Sequence, residues 1–473
     1  MTPEELAEVL GRVLHGKVVD LRRLSGGASR QTWALDLLTN GAARLPLVLQ
    51  IERPGGRLGA GIASEANLLR EAERAGVPVP RVVASGDDHG VGAPWLAVER
   101  LSGETIPRKV LRDPQFDTTR ARLPAQCGRA LAAIHSIPLG AAPGLDDADQ
   151  LDQYRSVLDA LAEPRPALEL GFRRLDATRP ASATPDARDT TRQRSIVHGD
   201  FRMGNLLVDA TGLLAVLDWE LAHIGDPLED LGWLCVRAWR FGSPQRAGGF
   251  GSLEDVLAAY EAASGMAIDP DAVRWWEALG TLKWGVMCMV QAASHRSGAS
   301  RSVELATIGR RVCENEWDLL GLLGVPLPPA EPPDALRAAT LPPTPPFGYP
   351  TAPELVEAVQ EWLDSDVREA TDGRLRFHSR VAANALGMVR RELTAGPLIA
   401  EAHAVRLADL GFADDGELAR AIRTGDCDDR WDAIAAAVAR SVRDQLFVAN
   451  PRHLLPDGEP EAMRDSESPR HRT

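Results

Sequence analysis

At 473 residues the chain exceeds what one hydrophobic core usually supports, so two or three domains are expected. Its 44% hydrophobic and 25% charged content is that of a soluble globular protein, and a net charge of −14 argues against non-specific nucleic-acid binding. The N-terminal run MTPEELAEVLGRVLHGK is acidic and amphipathic, unlike a secretory signal, and the apolar stretch 279–293, broken by Lys283 and Gln291, is too short to span a bilayer.

In chain order, KVVDLRRLSGGASRQTWALDLL reads as strand, turn, strand, and ARLPLVLQIERP as a further strand. SEANLLREAERAG is a helix ending at Gly76, and APWLAVERLSGETI is a strand running into a turn. From about residue 120 the apolar spacing becomes helical, as in LPAQCGRALAAIHSI and DQLDQYRSVLDALAE. Two short β-like runs, NLLVDA and GLLAVLDWE, interrupt this helical part. Residues 325–350 hold ten prolines and cannot form a long helix or a central strand, so they read as a semi-stiff linker. Helical spacing returns after Thr351, and the charged tail from Pro456 lacks apolar residues and is expected to be disordered. The expected organisation is 1–101, 102–325, a linker at 326–350, a small helical domain at 351–455 and a tail at 456–473. The cysteines Cys127, Cys235, Cys288, Cys313 and Cys427 include no C-x-x-C pair; they suggest neither a disulfide framework nor a zinc site and fit a reducing cytoplasm.

The chemistry concentrates in HGDFRMGN (198–205) and the two runs after it. Those runs flank the turn DATG, so a hairpin is expected with Asp200 and Asn205 before it and Asp218 at its end. Three oxygen-bearing side chains would then meet at one end of a hairpin. Mg²⁺ takes hard oxygen ligands and leaves positions for substrate phosphates, and a further carboxylate can accept the proton of an attacking hydroxyl. Taken alone, HGDFRMGN also fits a turn whose Asp and Asn satisfy backbone donors.

His198-Gly199-Asp200 followed by Asn205 is similar to the kinase catalytic loop H-R-D-x-x-x-x-N. The longer run SIVHGDFRMGNLLVD…LAVLDWELAHIGDPLEDLGWL resembles the aminoglycoside phosphotransferases, a protein-kinase-like family with D-W-E where protein kinases have D-F-G. Within it, LSGGASRQTW and GDPLEDLGWL most resemble the kinase-like domains associated with acyl-CoA dehydrogenases. The resemblance covers roughly residues 20–325, and the helical segment after 350 resembles a domain of uncharacterised type that accompanies such kinases.

This resemblance implies an α+β, two-lobed protein-kinase-like fold: a small β-rich N-lobe (1–101) over nucleotide, a larger helical C-lobe (102–325) with the catalytic loop and acceptor site, and then a small all-α domain. It implies ATP and Mg²⁺ as cofactors. Asp200 is expected as the catalytic base, His198 as a catalytic-loop residue that braces by hydrogen bonding, and Asn205 and Asp218 as the metal ligands. Asp230 is expected to anchor a loop. Ser25, Gly26, Gly27, Ala28 and Ser29 would cover the phosphates, their glycines admitting backbone amides close to phosphate oxygens, although on its own the motif is an ordinary hairpin turn. Backbone from Glu99 to Leu101 would bond the adenine edge.

One position departs from the pattern. Kinase-like folds place a cation on the third strand, paired with a helix glutamate. Here Gln50 stands in that place, with Glu65 as the expected acid. Only three lysines occur in the chain, and Lys17, Lys109 and Lys283 all lie elsewhere. Arg53 or Arg57 could lend charge from the end of the strand, but alternation puts Arg53 on the face opposite Gln50.

The acceptor site is expected between 140 and 325, where Trp275, Trp276 and Trp284 form a stripe that suits a core better than a ligand wall. An acyl-CoA would call for arginines such as Arg237, Arg240 or Arg246. The principal reading is a small-molecule hydroxyl kinase acting on an acceptor such as a hydroxyacyl-CoA, with an enzyme of acyl-CoA metabolism as partner and neither nucleic acid nor membrane. The alternatives are a weak or inactive nucleotide-binding pseudokinase whose helical C-terminal domain docks a partner enzyme, motivated by Gln50, and an aminoglycoside-type antibiotic kinase.

Overall fold

The structure, a computed structural model, describes residues 2–24, 30–39, 43–53, 61–180, 194–331 and 348–458. The glycine turn Ser25, Gly26, Gly27, Ala28 and Ser29, together with Arg57 and most of the linker and tail, lies outside the described residues. In chain order the elements are α1 (Pro3–Val13), β1 (Gly16–Arg23), β2 (Arg30–Thr39), β3 (Arg44–Glu52), α2 (Ile62–Arg74), β4 (Val82–Gly86) and β5 (Trp95–Glu99). Next come α3 (Pro107–Arg112), α4 (Asp117–His135), α5 (Gln150–Leu161), α6 (Pro166–Ala177), β6 (Ser195–Val197), β7 (Leu206–Asp209), β8 (Gly212–Val216) and β9 (His223–Gly225). The remainder is helical: α7 (Leu228–Cys235), α8 (Leu253–Ser264), α9 (Pro270–Arg296), α10 (Val303–Gly309), α11 (Val312–Leu322), α12 (Ala352–Trp362), α13 (Gly373–Leu410), α14 (Asp415–Thr424) and α15 (Trp431–Ala449).

Alternation along the first strands sets the N-terminal sheet. Leu35 and Leu37 of β2 point the same way as Leu47, Leu49 and Ile51 of β3, and all five are buried with Trp95 and Ala97 of β5. Leu6 and Leu10 of α1 close this face; Thr2 and Glu5 form a capping box that starts the helix. The sheet runs β1-β2-β3-β5-β4 with antiparallel neighbours. Its register sets Thr32 opposite Gln50, and Gln50 opposite Leu96. A small β-rich lobe followed by a mostly helical remainder is the two-lobed, kinase-like arrangement expected.

The described residues gather into two units: Met1–Asp149 with Pro180–Glu277, and Gln150–Arg179 with the residues from Ala278 on. Residues 102–325, expected as one helical lobe, therefore contribute to both. In the second unit, Ala167 and Leu170 of α6 and Trp317 and Leu320 of α11 share a buried core with Leu407, Leu418, Ile422, Ile434, Val438 and Leu446. Periodicity showed that these helices have apolar faces; it carries no information on which faces meet. No helix among the described residues is long and apolar enough to cross a membrane.

Candidate active site

β7 and β8 form the expected hairpin, with Leu206 opposite Val216 and Leu207 opposite Ala215. Asp209 closes it, accepting the Thr211 amide at 2.7 Å. At the open end the Leu217 amide donates to the Asn205 carbonyl at 2.8 Å, so Asn205 and Asp218 flank the same last rung. Asp218 sits in the left-handed region at φ 64°, a conformation Asp tolerates better than most residues. Asn205 donates through Nδ2 to the Asp200 carbonyl at 2.9 Å and to Asp200 Oδ2 at 2.6 Å. Asp200, Asn205 and Asp218, separated in sequence, thus gather at one end of the hairpin.

The other Asp200 oxygen is held as firmly. Oδ1 accepts from Arg202 Nε at 2.8 Å and from Trp233 Nε1 at 2.9 Å. Arg202 in turn lies over the Trp239 ring, 4.6 Å from its centroid. Three donors therefore fix the carboxylate, and its four acceptor positions leave room for one more.

Beneath the loop, His198 is fully buried and uses both ring nitrogens: Nε2 contacts the Leu217 carbonyl at 3.1 Å and Nδ1 accepts the Asp200 amide at 3.2 Å. That pattern fits the neutral tautomer protonated at Nε2, and burial pushes the His198 pKa down. The ring braces Asp200 from below. Asp230, also fully buried, accepts the His198 amide on Oδ2 at 2.8 Å and the Gly199 amide on Oδ1 at 2.9 Å. His135 Nε2 reaches the same carboxylate at 3.2 Å, and His135 Nδ1 meets the Tyr260 hydroxyl at 2.9 Å. Gly199 lies between these anchors at φ 78°, where an added Cβ would strike the Leu221 carbonyl. Gly199→Ala is expected to cost about 1–3 kcal/mol and to slow turnover, read by melting temperature and kcat.

Asp218 shares its surroundings with other acids. Burial, then Glu220 and then Asp200 push its carboxyl up to about 6, opposed by Arg30 and Arg202. A divalent cation would relieve this crowding, which is the chemical sense in which the residues fit Mg²⁺. Asn205 Oδ1 has no donor among the described residues, so a neutral oxygen stands beside the acids. No set of three or more His, Cys, Asp or Glu among the described residues is placed to hold a metal alone; a site completed by substrate oxygens needs none. The elevated carboxyl also sets a stability prediction. An acid whose pKa is raised by folding favours the folded state while protonated and progressively loses that advantage as pH climbs from about 4 to about 6. In chelator-treated protein, Asp218→Asn is therefore expected to raise stability above pH 6 by on the order of 1–3 kcal/mol, with the gain fading toward pH 4 in a pH series of thermal melts.

The expected third-strand position holds a finding that the strand's own sequence did not announce. Gln50 Oε1 accepts Nη1 of Arg30, from the neighbouring strand β2, at 2.9 Å. Arg30 is 7% exposed, pairs with Glu65 of α2, and lies with Nε 3.7 Å from Glu220 Oε2. Burial pushes the Glu65 carboxyl up, while Glu65 in turn keeps Arg30 firmly protonated. Glu65, expected to pair with a cation on the third strand, pairs instead with Arg30 of β2. A signal was present: Arg30 directly follows the glycine turn and alternates with Thr32 onto the face of Gln50. The contact of Trp233, from the GDPLEDLGWL run, with Asp200 has no signal in the local sequence.

At the far side of the sheet, the Glu99 amide donates to the Arg81 carbonyl and the Arg100 amide to the Pro46 carbonyl, both at 2.9 Å. The Leu101 amide and carbonyl have no backbone partner among the described residues. Trp275 and Trp276 are buried and packed edge to face, as a core stripe would be, while Trp284 is half-buried. Arg240 and Arg246 both clamp the buried Glu277, at 2.6 and 2.5 Å. One carboxylate balances one of these two cations, and the Arg246 side chain keeps over a third of its surface exposed.

A kinase-like fold with this loop and hairpin defines a class, the phosphotransferases that share the protein-kinase fold. Residues 20–276 match the Phosphotransferase enzyme family, and the chain belongs to it. Residues 369–453 match a second family, a domain of unknown function designated DUF6285. Over 230 residues the chain is 28% identical to acyl-CoA dehydrogenase family member 10 of Mus musculus, covering 46% of this chain and 20% of that protein. Over 82 residues it is 33% identical to acyl-CoA dehydrogenase family member 11 of Homo sapiens, covering 15% and 10%. The chain thus spans about one fifth of the length of the first of these relatives, and less of the second. Among solved structures, a protein of Ralstonia eutropha JMP134 assigned to the aminoglycoside phosphotransferases superimposes with a TM-score of 0.51 at 22% identity, covering 66% of this chain and 97% of that one. At that identity the likeness speaks to the fold.

Proposed function

We propose that the chain is an ATP- and Mg²⁺-dependent phosphotransferase that transfers the γ-phosphoryl group to a hydroxyl of a small molecule. The observation that carries this reading is the gathering of Asp200, Asn205 and Asp218 at the open end of one hairpin. In this mechanism Asp200, fixed by Arg202, Trp233 and Asn205, takes the acceptor's hydroxyl proton at its remaining lone pair. The acceptor oxygen forms its bond to the γ-phosphorus as the bond to the bridging oxygen breaks, and ADP leaves. Asn205 and Asp218 would hold Mg²⁺, which when bound neutralises phosphate charge. The Leu101 peptide would meet the adenine edge. His198, Asp230 and His135 keep the loop in place and stay out of the chemistry.

A hydroxyacyl-CoA is the acceptor class to test first, motivated by the names of the two mammalian relatives. Arg240 and Arg246 share one carboxylate, Glu277, so their cluster keeps a net positive charge that a CoA phosphate could meet. Aminoglycosides form the second arm, since an acidic chain suits a cationic acceptor. The test is ATP consumption against panels of both, with native protein and Asp200→Ala side by side. Equal rates in the two proteins would remove the catalytic claim. Nucleotide binding without turnover on either panel would instead favour the pseudokinase reading that Gln50 motivates.

A further inference from the structure

Resting on the phosphotransferase reading, we propose that Arg30, reaching across from β2, is the cation that holds the nucleotide's phosphates. Gln50 is its positioning partner rather than a vacant lysine site. The sheet register makes this possible. Thr32 stands opposite Gln50, so Arg30, two residues away on β2, is the diagonal neighbour on the same face and within reach of a long side chain. Nη1 is held by Gln50 and Glu65, and Nε faces Glu220. Nη2 donates to no acceptor among the described residues, leaving N–H groups for a ligand. A planar guanidinium matches phosphate oxygens in two-point contact and stays charged at any relevant pH.

The identity of residue 50 is explained by the same contact. A lysine or arginine there would set a second cation within hydrogen-bond distance of Arg30; a glutamine offers its carbonyl oxygen instead. The two positions form one device that accommodates a single cation. The alternative, that Arg30 is merely a structural counter-ion to Glu65, gives little reason for the arrangement, because a buried ion pair stabilises a fold no better than well-packed apolar side chains.

The experiment compares three full-length proteins for binding of ATP with Mg²⁺ and of adenosine, by displacement of a fluorescent ATP analogue. They are the native chain, Arg30→Gln with Glu65→Gln, and Arg30→Gln with Gln50→Arg. The first pair of changes removes both charges together, so no carboxylate is left buried alone; the second moves the cation from β2 to β3. The neutral pair is expected to weaken ATP binding by about ten- to hundred-fold, the loss of a charge-assisted contact, with adenosine unaffected. The moved cation is expected to recover most of that loss. The inference falls if the neutral pair binds ATP as the native chain does, or if the moved cation, folded or not, gives no recovery. Should the neutral pair itself fail to fold by circular dichroism, the moved cation decides alone. A native chain that binds neither ATP nor adenosine would overturn the nucleotide reading and this inference with it, whereas native binding with an indifferent Arg30 overturns the inference only.

Discussion

Asp200→Ala is expected to lower phosphoryl transfer by about 10²–10⁴-fold while nucleotide affinity stays close to native, the range lost when a positioned general base is removed. The geometry argues for a loss centred on kcat. Asp200 contacts Asn205, Arg202 and Trp233 but not the Arg30, Gln50 and Glu65 set, so its removal leaves that set as it was. Asp200→Asn is expected to be the worse-folded variant despite its closer shape. All three neighbours donate hydrogen bonds to the carboxylate, and an amide would turn an N–H toward at least one of them, leaving a buried donor without an acceptor. A cavity that water can enter is milder, so melting temperature should rank native above Ala and Ala above Asn. Steady-state kinetics with the acceptor found in the panel, together with melts of the same proteins, check both halves. A variant whose KM for ATP rises while kcat is kept would place Asp200 in binding rather than in proton transfer.

The same contacts explain how much of the site was legible from the letters. Asp200, Asn205 and Asp218 fall within one local stretch, and a hairpin brings its two ends together without help from the rest of the chain. Glu65 was legible as the paired acid because a helix acid in that place is part of the kinase-like pattern. Its partner was not, because the Arg30–Gln50 contact depends on which residues of β2 and β3 stand opposite each other, and register is set by turn geometry and burial rather than by either strand's composition. The helices of the second unit failed in a similar way. The apolar faces of α6 and α11 are plain in the periodicity, yet their burial with α14 and α15 is a long-range choice. Proline density at 326–350 suggested a clean division of the chain there; the shared core shows that a covalent linker and an energetic boundary need not coincide.

Asp230→Asn is expected to cost about 3–5 kcal/mol, the scale for removing one member of a buried charged network. Its carboxylate, with no exposed surface, accepts two consecutive backbone amides and a histidine ring. An asparagine offers one acceptor oxygen and turns its own N–H groups against donors, so at least one of the His198 and Gly199 amides loses its partner in a dry interior. Burial opposes the charge of Asp230, but the His135 hydrogen bond and the neighbouring ring of His198 hold its carboxyl below the ordinary range. A carboxyl depressed in this way contributes stability that is fully present above the unfolded-state value near 4 and is lost as pH falls through the folded-state value. The gap between native and Asp230→Asn should therefore be wide at pH 7 and close as the solution is acidified below about 4. Denaturant unfolding followed through tryptophan fluorescence suits the measurement, since Trp219 and Trp233 are buried beside the loop. A gap of the same size at pH 7 and at pH 3 would mean that shape, rather than charge, is what Asp230 contributes to the loop.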